Sequence, residues 1–171
     1  MRKYFSFFYL LSFIFLVVLA NWLTSSYGLV PVGLGLYATA GTFAAGLTFV
    51  FRDMIHENFK SPVVFLAIVV GALISYLIAS PVIAIASGIT FLLAETLDML
   101  VYKPLRKKGF FKASIISNVV GFTTDTFLFL YLAGFALTVD TVAGQLWVKA
   151  LMTLLGVGII YLFKDKLLSK K

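Results

Sequence analysis

PVVFLAIVVGALISYLIA, Pro62 to Ala79, carries no charged residue and has the length and composition of a helix that crosses a hydrocarbon layer, for which about 20 apolar residues suffice. Five further runs repeat the pattern around it, Tyr4 to Leu23, Val32 to Phe51, Pro81 to Tyr102, Phe111 to Ala133 and Val142 to Phe163. The whole chain agrees, since 61% of its 171 residues are hydrophobic and 12% charged, more apolar surface than a water-soluble core of this size can hide. The reading is an all-α polytopic membrane protein of six transmembrane helices, forming a single domain over residues 1–171.

Cationic residues fix the orientation. Arg2 and Lys3 precede the first run, Arg52 and Lys60 follow the second, and Lys103, Arg106, Lys107, Lys108 and Lys112 surround the fourth connection. Lys164, Lys166, Lys170 and Lys171 form the tail, and only Lys149 stands apart. The alternate connections, around Tyr27-Gly28 and Pro31, Ser80-Pro81 and Asp140, contain no Lys or Arg. The positive-inside rule then places both termini in the cytoplasm. Arg2-Lys3 followed by Val18-Leu19-Ala20 also reads as a secretory signal. The apolar run is long for that role, and Asn21-Trp22 reads as an interfacial anchor that retains the span. The net charge of +7 is a topology signal rather than a nucleic-acid footprint. The Lys103–Gly109 connection has anionic lipid as its natural contact.

An internal echo links two spans, because Ala44-Ala45-Gly46-Leu47-Thr48-Phe49 returns forty-two residues later as Ala86-Ser87-Gly88-Ile89-Thr90-Phe91. Asp53 and Glu95 fall at equivalent places, the pattern of a parallel repeat such as transporters use; small residues also recur wherever helices pack closely. Ala38, Thr42 and Gly46, with Gly41 and Ala45, form a small-residue face expected to press on another helix.

Ionisable and amide groups inside hydrocarbon are expensive unless paired or wetted, so each is a candidate site. Glu95 and Asp98 are three apart on one helix face, with Thr90 and Ser87 extending the polar stripe outward. Ser114, Asn118, Gly121 and Asp125 form a continuous stripe along span five, and Gln145 and Lys149 share a face of span six. At about 1.5 Å per residue, Asn118 lies level with Glu95 and Asp125 level with Lys149. An Asp125–Lys149 ion pair follows, either locking spans five and six together or lining a solute path. Asp53 and His56 with Glu57 close span two, where charges are usually solvated; a gating or proton-linked role for Asp53 and His56 is the functional alternative. With no cysteine, one histidine and no second His after His56-Glu57 at zinc-protease spacing, no metal site, cofactor or enzymatic nucleophile is expected.

Four fragments in order carry a family resemblance: Gly46-Leu47-Thr48-Phe49 leading to Arg52-Asp53 and His56-Glu57; Glu95-Thr96-Leu97-Asp98 leading to Tyr102 and Pro104-Leu105-Arg106; Ser117-Asn118-Val119-Val120-Gly121 leading to Asp125; and Gly144-Gln145 followed by Lys149. Together they resemble the vitamin uptake transporter family, better described as queuosine precursor transporters. The likeness spans nearly the whole chain, although the longer members have Thr where Arg52 precedes the span-two carboxylate and a Tyr-Gly pair after the acidic residue. It implies a six-helix importer of 7-deazaguanines, 7-cyano- or 7-aminomethyl-7-deazaguanine (preQ0 and preQ1), used in tRNA modification.

Guanine's adjoining N1–H and N2–H donors suit a carboxylate, amides suit its carbonyl and ring nitrogen, and an aromatic ring suits its face. The expected arrangement has Glu95, Asp98 and Asn118 as a base-recognition layer, Asp125, Gln145 and Lys149 as a layer nearer the outside, and Phe91, Tyr76 or Trp22 stacking on the ligand. Alternatives are a substrate-binding membrane subunit that needs an ATP-driven partner, and a carrier for another vitamin-like base. Partners are thus a purine-like small molecule and the bilayer, with small-residue faces favouring a homodimer.

Overall fold

A computed structural model describes residues 2–162, without the side chains of residues 2–6, 160 and 161. The side chains of Arg2 and Lys3, the expected end of span six at Phe163 and the cationic tail of Lys164, Lys166, Lys170 and Lys171 lie outside the described residues. The elements are α1 (Arg2–Tyr27), β1 (Leu29–Pro31), β2 (Tyr37–Thr39), α2 (Thr42–His56), α3 (Ser61–Ile78), α4 (Pro81–Arg106), α5 (Phe110–Leu132) and α6 (Val139–Leu162).

Local sequence explains the boundaries. Pro62 and Pro81 occupy the first turns of α3 and α4, where the missing N–H costs nothing. Gly134 closes α5 at φ +75°, and Phe135 N–H donates to Leu130 O at 2.9 Å, so a left-handed glycine satisfies the terminal carbonyls. Among the described residues, α1 (over Phe7–Tyr27), α3, α4, α5 and α6 (over Val139–Ile159) are long and apolar enough to cross a membrane. Five such helices are the make-up of a multi-pass membrane protein.

The second expected span differs. Val32 to Phe51 is not one helix: β1 and β2 form an antiparallel hairpin pairing Val30 with Ala38, and α2 begins only at Thr42. Pro31 and the left-handed Gly33, Leu34 and Gly35 break any helix before it starts. The described residues are thus all-helical apart from this one small hairpin. Fifteen residues give α2 only about 22 Å, short for a lipid crossing. Ten of them are buried, so this helix is solvated mainly by protein: it packs against α1, α3, α5 and α6.

Its small-residue face makes this enclosure possible. A Cβ on Gly46 would lie 2.7 Å from Met152 Cβ of α6, and one on Gly41 would lie 2.0 Å from Ala20 O of α1. At the hairpin the same device recurs, since a Cβ on Gly144 of α6 would fall 2.1 Å from Tyr37 O and 2.6 Å from Tyr37 C. Backbone, unlike a long side chain, cannot swing aside. Gly144→Ala is expected to destabilise the protein by about 1–3 kcal/mol, read as a lower melting midpoint of the detergent-purified protein. An unchanged melt would mean that the hairpin yields freely.

Candidate functional site

Polar side chains run through the bundle in three levels. At one end Glu57, just beyond α2, takes Arg106 of α4 in a two-pronged pair, Nε on Oε1 and Nη2 on Oε2. Tyr102 Oη donates to the same Oε1 at 2.9 Å, and the His56 ring stacks on Tyr102 at 6.3 Å.

The middle level centres on Arg52, which is fully buried. Its Nη1 lies 2.6 Å from Glu95 Oε2 and 2.5 Å from Asp98 Oδ2, its Nε lies 2.8 Å from Asp53 Oδ1, and its Nη2 donates to Asn118 Oδ1 at 2.9 Å. His56 Nε2 sits 2.8 Å from Glu95 Oε1. Ser114 Oγ donates to Asp53 Oδ2. Placing three carboxylates around one guanidinium away from water is costly unless the excess charge is met.

The third level is a cavity between α1, α2, α4, α5, α6 and the hairpin, of about 30 Å³, room for a few waters. Asp125, Gln145 and Lys149 line it with Asn21, Thr24, Thr39, Thr42, Thr48, Ser87 and Phe91. Lys149 Nζ lies 2.5 Å from Asp125 Oδ2 and 2.8 Å from Thr126 Oγ1, so the ion pair expected from helical depth is present. Gln145 Nε2 reaches Thr39 Oγ1 at 3.5 Å, and Asn21 Nδ2 donates to Ser75 Oγ at 2.9 Å.

Phe49 and Phe91 separate the cavity from the Arg52 cluster. Their rings stack at 5.5 Å; Phe91 faces the cavity, and the Arg52 guanidinium lies 5.7 Å from the Phe49 centroid. The two phenylalanines are equivalents in the sequence echo, as are Asp53 and Glu95, which both contact Arg52. Gly121 lets α5 close on this layer, because a Cβ there would meet Phe49 Cε1 at 3.0 Å and Asp98 Oδ1 at 3.2 Å.

The candidate residues thus separate into two groups. Asp125, Gln145 and Lys149 face the cavity. Glu95, Asp98 and Asn118 come together, as their depths predict, but their partner is Arg52, and they join Asp53 and His56 rather than lining the cavity. Arg52 itself corrects the topology reading: α2 runs past the expected end at Phe51 to His56, which puts this fully buried cation inside the helix, so it is not a cytoplasmic marker. Asp53, expected to be solvated, is likewise fully buried. Asn21 is no interfacial anchor but part of the cavity wall, while Trp22 and Tyr76 are 43% and 50% exposed and do not line it; Phe91 alone of the three proposed stackers does.

Apolar helices enclosing a buried polar interior are the build of a membrane protein that handles a polar solute or ion. The family model described as "Putative vitamin uptake transporter" matches residues 63–163, more than half of the chain, and the protein belongs to that family, which is one of transporters and not of enzymes. The match runs from α3 through α6, and so takes in Glu95, Asp98, Asn118, Asp125, Gln145 and Lys149. No curated protein and no solved structure matches the chain.

Proposed function

We propose that the protein imports queuosine precursors, 7-deazaguanines such as 7-cyano- and 7-aminomethyl-7-deazaguanine, across the inner membrane, binding the base in the outer cavity. The observation that carries this reading is the Asp125–Lys149 pair on the cavity wall. An ammonium beside a carboxylate offers a donor followed by two acceptors. The guanine edge offers the complement, the O6 acceptor followed by the N1–H and N2–H donors. Gln145 and Asn21 supply amides for the remaining ring atoms, and Phe91 supplies a flat apolar face.

A purine is larger than the cavity as it stands, so entry requires α5 and α6 to part, as alternating access demands. Glu95, Asp98 and Asn118 are then the layer the base meets next on its way inward, with Asp53 and His56 as gating or proton-linked groups. The hairpin and α2 together make the sixth crossing, both termini are cytoplasmic, and the small-residue faces that remain favour a homodimer.

The test is uptake of labelled 7-cyano-7-deazaguanine by proteoliposomes, with 7-aminomethyl-7-deazaguanine as competitor. Saturable, competed uptake is expected. Tight binding in detergent with no uptake would instead favour the subunit reading that needs an ATP-driven partner. Neither binding nor uptake would overturn the deazaguanine assignment.

A further inference from the structure

The Arg52 cluster is short of donors. Of the six oxygens on Asp53, Glu95 and Asp98, three (Asp53 Oδ1 and both of Asp98) are buried without a hydrogen-bond donor aligned on them, although Arg52 nitrogens lie near two of the three. All three side chains are fully enclosed. A buried acceptor left without a donor is costly, and three acids against one guanidinium leave two negative charges uncompensated.

Among the described residues the one other group at this cluster that can carry a positive charge is His56, 2.8 Å from Glu95 Oε1, and it does so only by taking up a proton. From α2 come Arg52, Asp53 and His56, and from α4 Glu95 and Asp98; α5 contributes Ser114, Ser117 and Asn118, none of which titrates. Lys149 of α6 is engaged with Asp125, Tyr9 of α1 packs on Phe51, and Arg106 with Tyr102 is held by Glu57 at the next level. Among the described residues no three His, Cys, Asp or Glu side chains are arranged to hold a metal ion, and the guanidinium occupies the centre. What fits the geometry is the smallest cation: a carboxylic acid carries its own O–H donor, and two acids crowded together share a proton readily.

We infer that the Arg52–Asp53–Glu95–Asp98–His56 cluster is a proton-binding site, holding two exchangeable protons that bring it to neutrality, and that their exchange is linked to movement of solute through the cavity above it. The second half rests on the transport reading; the first does not. As the bundle opens inward, the Phe49–Phe91 stack parts, the cluster meets water and its protons leave; reprotonation from the outer side restores the neutral, closed packing. No covalent bond changes, and each proton moves between a carboxyl or imidazole group and water.

Infrared spectroscopy of the full-length protein in lipid tests the site without any ligand. A carbonyl stretching band of protonated carboxylic acid is expected at neutral pH, fading under alkaline titration and reduced in Asp98→Asn and Asp53→Asn. Absence of the band, or its persistence at full strength in those variants and in Glu95→Gln, overturns the proposal. In proteoliposomes, external acid should raise deazaguanine accumulation by about tenfold per pH unit for each coupled proton, and Asp98→Asn should flatten that response. Accumulation indifferent to the gradient in the unaltered protein overturns the coupling. If no deazaguanine enters at all, the importer reading falls and the infrared result alone decides the site.

Discussion

Lys149→Met should abolish both ligand binding and uptake, and should also destabilise the protein by about 3–5 kcal/mol, the cost of leaving one partner of a buried ion pair without the other. Loss of activity in that variant therefore cannot by itself separate a lock between α5 and α6 from a ligand-reading group. The double variant Lys149→Met/Asp125→Leu can. Exchanging both charges for apolar groups of similar size is close to neutral for stability, so its melting midpoint in detergent should return to within about 1 kcal/mol of the unaltered protein. If the pair reads the base, binding stays lost in this folded protein, because neither the donor nor the two acceptors remain. If the pair only locks two helices, binding returns with stability. Restored uptake of labelled deazaguanine would remove Asp125 and Lys149 from recognition.

The second large effect is expected at Arg52. Arg52→Gln leaves Asp53, Glu95 and Asp98 facing one another with no cation among them, and the loss should be at the upper end of the 3–5 kcal/mol typical of a broken buried pair, or beyond it. Little monodisperse protein should be recovered from membranes. Adding Asp53→Asn, Glu95→Gln and Asp98→Asn to Arg52→Gln removes the stranded charges and should restore a folded species on size-exclusion chromatography, without restoring transport. Arg52→Lys tests the geometry separately: one ammonium cannot reach Asp53, Glu95, Asp98 and Asn118 with the fork of a guanidinium, so an intermediate melting midpoint is expected. A stable, active Arg52→Gln protein would show that the cluster does not depend on its central cation.

Much of this architecture was legible in the residues because hydrocarbon is an unforgiving solvent. The apolar runs that became α1, α3, α4, α5 and α6 stand out by length alone, and Pro62 and Pro81 mark two helix starts within a residue. Depth along a helix is close to arithmetic, which is why Asp125 could be placed against Lys149 and Asn118 beside Glu95 before any contact was known. The second span resisted, because an average over Val32 to Phe51 is as apolar as a true crossing, and only Pro31, Gly33 and Gly35 signalled that its first third turns back on itself. Its far end was misplaced too, since α2 runs on from Phe51 to His56, and that hid Arg52. A cation at the supposed end of a span reads as a topology marker; a cation a turn inside a protein-enclosed helix reads as the centre of a cluster. The cavity wall from Asn21, Thr24 and Thr39 was equally out of reach, since Thr and Asn near a helix end or in a connection look solvated until the fold brings α1 and the hairpin over α6.

Gly144 and Gln145 are neighbours in α6. The first, lacking a Cβ, lets the Tyr37 carbonyl lie against bare helix backbone, and the second reaches Thr39 from inside the cavity. The hairpin is thus geared to α6: any rotation of α6 would carry the hairpin's backbone and the amide of Gln145 together.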